Sequence, residues 1–309
     1  MQFPFVKRAL ALAGAFIWAM GLIGAAEPAS AAGRLTIESG GISRTAVVVV
    51  RDRLKLRRRP LIIVLHRGGG LGARARRHLG LEETAQTNRP IFAYPDAIGG
   101  GWPIAAGPES ERDIKYLHDL TDKLVGDGLV DQRRIFIVGV SSGGVFAYRV
   151  ACAGVGRPVA GLATFIAAMP LDMASCAPVA PFAYVAVSNS LDPAVPYGGG
   201  KATLNDATLD VMGAEASLAT FAKLNNCGAR RDDKPFAERE ARNGFGKQAR
   251  GALLTYAGCK PPIELIRFDA ASHRMPGRRL DREVDSWGEE RKDFDASRAV
   301  WEFLRRNGA

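Results

Sequence analysis

The chain has 309 residues, 47% of them hydrophobic and 24% charged, with a formal net charge of +10 at pH 7. That apolar content supplies a large core and excludes an intrinsically disordered chain. The basic residues lie in short scattered runs, such as Arg57-Arg58-Arg59 and Arg76-Arg77, without interleaved aromatics. The charge therefore reads as solvated surface, and nucleic acid is not an expected partner.

Lys7-Arg8 precedes an apolar run from Ala9 to Ala26, which Glu27-Pro28 ends. Ala29-Ser30-Ala31 then offers small residues at the usual cleavage spacing, so residues 1–31 read as an export signal. The run is nearly long enough to span a bilayer. Its Ala and Gly content and the cleavage-like site favour removal, leaving no stable membrane anchor. Residues 32–309 are then expected to form one domain, secreted or periplasmic. Four cysteines remain, Cys152, Cys176, Cys227 and Cys259, an even number that suits two disulfides in an oxidising compartment. No Cys/His cluster suggests a metal.

Strands are predicted at Leu35–Ile37 and Ala46–Val50, with a charged turn over Arg51–Pro60. Leu61–Leu65 reads as a buried strand running into His66-Arg67-Gly68-Gly69-Gly70. A helix is predicted over Leu79–Thr87, a strand over Ile91–Tyr94, and then a glycine-rich loop carrying Trp102. Ile114, Leu117, Leu120 and Leu124 have helical spacing. Ile135–Val138 is an apolar strand, and Gly139-Val140-Ser141-Ser142-Gly143 follows it at once, ahead of a helical Val145–Val150. Further strands are expected within Val159–Ala168 and at Phe182–Val187, a helix at Ala214–Leu224, and a strand at Ile263–Phe268. A last helix starts near the N-cap candidate Asp295. Strands alternating with helices predict a mainly parallel sheet with helices on both faces. In such sheets catalytic groups gather at the C-terminal strand ends.

Gly-x-Ser-x-Gly between a buried strand and a helix is the setting of a nucleophile elbow. Ser141 is favoured over Ser142 because small residues must stand two before and two after the serine. Val140 would fail that test for Ser142. The Ser142 N–H, at the helix start, is then aimed at an oxyanion. Serine needs a base, and among the histidines at 66, 78, 118 and 273 only His273 follows Ser141. For the acid, Asp172, Asp192, Asp206, Asp210 and Asp269 all lie between the two. Asp192 is preferred because it follows the Phe182–Val187 strand, and Asp269 is kept for a supporting role. A second oxyanion amide is expected near Arg67 or Gly68, in a loop of the HGGG type.

With these residues in place, the chain resembles the secreted esterase family that joins polyhydroxybutyrate depolymerases with feruloyl and acetyl-xylan esterases. The resemblance covers nearly all of the chain after the leader. It rests on Ser39-Gly-Gly-Ile-Ser-Arg44, on Leu65-His66 with Gly68-Gly-Gly70, and on Tyr94-Pro-Asp96. It continues through Asp131-Gln-Arg-Arg-Ile135 and Gly139-Val-Ser-Ser-Gly-Gly144 to Asp192-Pro-Ala-Val-Pro-Tyr197 with Gly198-Gly199, the most specific match. Ser272-His273 with Pro276-Gly277, Asn226-Cys227 with Cys259, and Phe294-Asp-Ala-Ser297 with Trp301 also fit. The resemblance implies an α/β-hydrolase fold, no cofactor, and Ser141, Asp192 and His273 as nucleophile, acid and base. Cysteines are expected to pair in sequence, Cys152 with Cys176 and Cys227 with Cys259.

Three departures from the family stand out. Arg67 replaces a glycine, Arg112-Asp113 stands where two acids are usual, and Arg274-Met275 where an aromatic is usual. The last two are expected to alter the substrate cleft, which His66, Trp102 and Met275 are expected to line. No polymer-binding segment follows the last helix, so soluble or oligomeric esters are the expected substrates. The rivals are an acyltransferase on the same scaffold and an inactive cell-wall polysaccharide-binding protein.

Overall fold

The computed structural model describes residues 31–51, 58–85, 90–235, 251–269, 272–276 and 295–309. Nearly all of the expected leader, most of the charged turn, Gly277 and Phe294 lie outside these residues. In chain order the strands are β1 (Ala31–Ser39), β2 (Ile42–Val50), β3 (Arg59–Leu65), β4 (Ile91–Pro95), β5 (Val130–Val140) and β6 (Gly161–Phe165). Then come β7 (Ala183–Asn189), β8 (Gly199–Leu204), β9 (Ala207–Met212), β10 (Lys234–Pro235), β11 (Gly251–Thr255) and β12 (Ile263–Phe268). The helices are α1 (Gly72–Leu79), α2 (Leu81–Thr84), α3 (Pro108–Gly126), α4 (Ser142–Ala153), α5 (Ala214–Leu224) and α6 (Ala296–Arg306).

A ten-stranded sheet runs β1-β2-β4-β3-β5-β6-β7-β12-β11-β10. Its middle, from β4 to β12, is parallel, and the flanks are antiparallel. The apolar runs of the middle strands divide with period two between two cores. Leu61, Ile63, Leu65, Ile135 and Ile137 face one core, shared with α3, α4 and α5 through residues such as Leu117, Phe146 and Phe221. Ile62, Val64, Phe136 and Val138 face the other, shared with α1 and α6 through Ala75, Leu79, Val300 and Trp301. Helices thus cover both faces, and the C-terminal ends of β3, β5, β7 and β12 point to one rim.

Local chemistry sets several boundaries. Asp96, just past β4, accepts from the Gly72 N–H at 2.8 Å and from Thr45 Oγ1 at 2.7 Å, fixing the start of α1 beside β2. Gly80 has φ of 53° and closes α1, because its N–H reaches the Arg76 carbonyl. The helix expected over Leu79–Thr87 is therefore corrected: α1 begins at Gly72, Gly80 ends it, and α2 is a single short turn. Asp295 caps α6, accepting from the Arg298 N–H at 3.0 Å. The hairpin β8–β9 was not foreseen, nor was the antiparallel edge beyond β12.

Asp113 is fully buried in α3 and meets Arg44 of β2 at 2.7 Å, while Arg44 lies 4.0 Å from the centre of the Tyr116 ring. The expectation that Arg112-Asp113 alters the cleft is corrected by this placement. Asp113 is bound into the core under β2, because a buried carboxylate needs a partner, and neither residue lines the cavity described below.

Cys152 in α4 is joined to Cys176, and Cys227, past the end of α5, to Cys259 in the turn before β12. The sequence separations are 24 and 32 residues. Loops of that length stabilise by about 3.5 kcal/mol each in the chain-entropy account. Replacing Cys227 and Cys259 together by serine should lower the urea unfolding free energy by about 3 kcal/mol, with the denaturation midpoint as the readout.

Candidate active site

β5 ends in Val140, and the chain turns sharply at Ser141 into α4. Ser141 has φ of 54° and ψ of −124°, a conformation that L residues rarely adopt. Such backbone costs about 1–3 kcal/mol and persists only where its surroundings enforce it. Here the Ser141 N–H donates to the Phe165 carbonyl at 2.9 Å, and the Ser141 carbonyl accepts from the Val145 N–H at 2.9 Å. The flanking glycines are required by space. A Cβ on Gly139 would strike the Gly143 carbonyl and lie 2.6 Å from the Gly144 Cα; one on Gly143 would strike the His66 carbonyl and lie 2.7 Å from that of Leu65. The elbow is thus pressed backbone to backbone against the end of β3.

The Ser141 Oγ lies 2.8 Å from His273 Nε2. His273 Nδ1 lies 2.9 and 2.8 Å from the two carboxylate oxygens of Asp192. With Nδ1–H donating to that carboxylate, Nε2 keeps a lone pair for the serine hydroxyl. Asp192 Oδ1 also accepts from the N–H groups of Ala194 and Val195, at 2.8 and 3.0 Å. All three side chains are nearly buried, at 2% for His273 and Asp192 and 5% for the whole Ser141 residue. Ser142 is fully buried, and its Oγ meets no hydrogen-bond partner among the described residues. Asp206 and Asp210 belong to the β8–β9 hairpin, Asp172 pairs with Arg149 at 3.0 Å, and Asp269 pairs with Arg267 at 3.3 Å.

A cavity of about 620 Å³ opens above Ser141. Ser141, His273, Arg67, Gly68, Met275 and Asn205 all line it. Two residues expected in the cleft lie beneath it instead. His66 is 1% exposed; its Nε2 accepts from the Ala97 N–H at 3.1 Å and its Nδ1–H donates to the Arg67 carbonyl at 2.8 Å. Trp102 is 2% exposed and stacks on Phe146 at 5.3 Å, with His66 tilted against it. Both are corrected to supports of the loop: His66 spends its two ring nitrogens on an N–H and a carbonyl, and the buried indole of Trp102 packs against His66 and Phe146. Among the described residues, no group of three or more His, Cys, Asp or Glu side chains converges as a metal site would.

No family model matches the chain. A putative esterase, NocK, from Nocardia uniformis subsp. tsuyamanensis is 30% identical over 148 residues, covering 46% of this chain and 42% of that protein. The chain thus spans under half of that relative's length. Feruloyl esterase C from Emericella nidulans is 27% identical over 222 residues, covering 70% of this chain and 71% of that one. The acetyl xylan esterase structure from Aspergillus awamori superposes with a TM-score of 0.53 at 12% identity, over 79% of this chain and 94% of that one, a likeness of fold. The chain has an α/β-hydrolase fold and is similar in sequence to feruloyl esterases.

In this fold one supporting residue escaped the sequence reading. Asn189, the last residue of β7, is 2% exposed, and its Nδ2 donates to the carbonyls of Ser272 and Arg274 at 2.7 and 3.0 Å. It grips the loop on both sides of His273. The available signal was a polar residue at the C-terminal end of a buried strand, three positions before Asp192. Asn189→Ala strands two carbonyls and frees the imidazole, so kcat on a short ester should fall on the order of 10- to 100-fold, with KM little changed in steady-state kinetics.

His66 gives the fold a pH dependence of stability. Burial pushes its pKa below the ordinary histidine value, against the opposing pull of the Arg67 carbonyl and Asp96. The unfolded chain therefore binds the proton more readily. This share of stability is complete above the unfolded value, about 6.5, and is lost as pH falls toward the lower folded value. Urea midpoints measured between pH 7.5 and pH 5 should fall, and His66→Gln should flatten that fall.

Proposed function

We propose that this chain is an exported serine esterase that hydrolyses carboxylic esters through an acyl-enzyme, with Ser141 as nucleophile, His273 as base and Asp192 as the acid that orients it. The hydrogen-bonded run from Ser141 Oγ through His273 to Asp192, opening on the cavity, carries the reading. In this account Ser141 Oγ attacks the ester carbonyl carbon while its proton passes to His273 Nε2. Asp192 stabilises the imidazolium without taking a proton. The carbonyl oxygen becomes an oxyanion facing the Ser142 N–H, at the start of α4, and an amide of the Arg67–Gly68 turn. His273 gives its proton to the leaving alcohol. Water, deprotonated by the same imidazole, then attacks the acyl-enzyme and releases the carboxylic acid and free Ser141.

The relatives named feruloyl esterase make phenolic acyl esters the first substrates to test, beside short acyl esters and hydroxybutyrate oligomers. Two disulfides and the apolar leader support export, and among the described residues no helix is long and apolar enough to cross a membrane.

The test is chemical. A fluorophosphonate should label Ser141, with the adduct located by peptide mass mapping. Ser141→Ala and His273→Ala should each lower kcat on the order of 10⁴-fold or more, with the far-UV spectrum unchanged. Ser142→Ala keeps its amide and should retain most activity. A Ser141→Ala protein that turned over esters at the native rate would overturn the assignment.

A further inference from the structure

We infer that Asn205, at the tip of the β8–β9 hairpin, is a positioning residue that clamps the oxyanion loop at Gly68. The inference rests on the esterase reading of the site and adds to it a residue outside the Ser141–His273–Asp192 run.

The hairpin has a two-residue turn, because Leu204 pairs with Ala207 and leaves Asn205 and Asp206 between the strands. Both have positive φ, 51° and 61°, as a type I′ turn requires, and Asn and Asp are among the residues that adopt it at least cost. The turn delivers the Asn205 carboxamide to the glycine loops that form one wall of the cavity. A Cβ on Gly68 would fall on Asn205 Oδ1 and lie 2.5 Å from its Cγ and 3.0 Å from its Nδ2. A Cβ on Gly101 would lie 3.4 Å from the same Nδ2. One carboxamide thus rests on the backbones of two loops, residues 66–70 and 98–101. Gly68 does not have a positive φ, so what excludes a side chain there is the space that Asn205 occupies.

The hairpin is itself fixed to the acid loop. The Thr203 N–H donates to the Ala194 carbonyl at 3.1 Å, and the Ala194 N–H donates to Asp192 Oδ1 at 2.8 Å. At the far end, the Met212 N–H donates to the Met169 carbonyl at 2.8 Å. Asp192, Ala194, Thr203, Asn205 and Gly68 therefore form one mechanical line from the acid to the oxyanion loop. The elbow meets that loop at His66, where a Cβ on Gly143 would strike the carbonyl, and Asn205 meets it at Gly68.

The experiment uses the purified full-length chain, p-nitrophenyl acetate as substrate and phenylboronic acid as a mimic of the tetrahedral state. Asn205→Gly keeps the turn's backbone accessible and removes the carboxamide. It should lower kcat on the order of tenfold and weaken phenylboronic acid by a similar factor, with KM and the thermal midpoint near native values. A purely structural residue would move the midpoint and leave the kcat-to-boronate correspondence unmoved. Gly68→Ala should lower both kcat and the thermal midpoint by driving the carboxamide away. Asn205→Gly added to Gly68→Ala should recover part of each loss, because the volume is then empty. Native kcat and boronate affinity in Asn205→Gly would overturn the inference, and so would simple multiplication of the two single effects. The esterase reading fails differently, by absence of turnover and of fluorophosphonate labelling in the native protein. The thermal-midpoint cycle needs no substrate and decides the contact in either case.

Discussion

The site depends on one close approach: the backbone of the elbow at Gly143 lies against the carbonyls of Leu65 and His66. β3 and β5 are parallel neighbours paired as far as Leu65 and Gly139, so both strands end at the same height. The chain leaving β5 must turn at once and the chain leaving β3 must pass over it, which puts two backbones where side chains usually separate them. Strain of about 1–3 kcal/mol at Ser141 is small beside the two cores that flank these strands. The sheet enforces the turn, the turn exposes Ser141 Oγ, and α4 begins with its first N–H groups beside that oxygen.

The remaining groups come from strand ends on the far side of the elbow. β7 leads to Asp192 and β12 leads to His273, and these two strands are parallel neighbours as well. Asn189 at the end of β7 holds the histidine loop that follows β12, so a pairing inside the sheet continues as a pairing of loops. The Asp192 carboxylate is buried, and two backbone N–H groups and an imidazole satisfy it, which is what a buried polar group requires. Its orientation is set before any ligand arrives, as preorganised electrostatics demands.

Much of this was legible in the sequence where the physics is local. The buried Ile135–Val138 run followed at once by Gly139 to Gly143 marks strand, turn and helix together. Ala214–Leu224 and Ile263–Phe268 were readable to the residue from apolar spacing, and Asp295 from its capping chemistry. What was hidden is what depends on contact at a distance. α1 is rich in arginine and shows the core only Ala75 and Leu79 among its larger apolar positions, too few for a periodic signal. β8 begins among glycines and the pair looks like loop, although Asn205-Asp206 between alternating Ala202, Leu204 and Val211 is a hairpin pattern. His66 and Trp102 carry chemistry that often faces ligand. Only the structure shows the Ala97 N–H that occupies one and the Phe146 ring that covers the other.

Most of the β8–β9 hairpin packs outside the two main cores, and only Met212 at its end reaches the first of them. Ala202, Leu204 and Val211 share a small separate cluster with Val195, Ile104, Val145, Ala167 and Ala168. Its two strands form a sheet separate from the ten-stranded one. One wall of the cavity is thereby carried by a packing unit smaller than either main core. Substitutions within that cluster would reshape the cavity while the sheet that carries Ser141 stays paired.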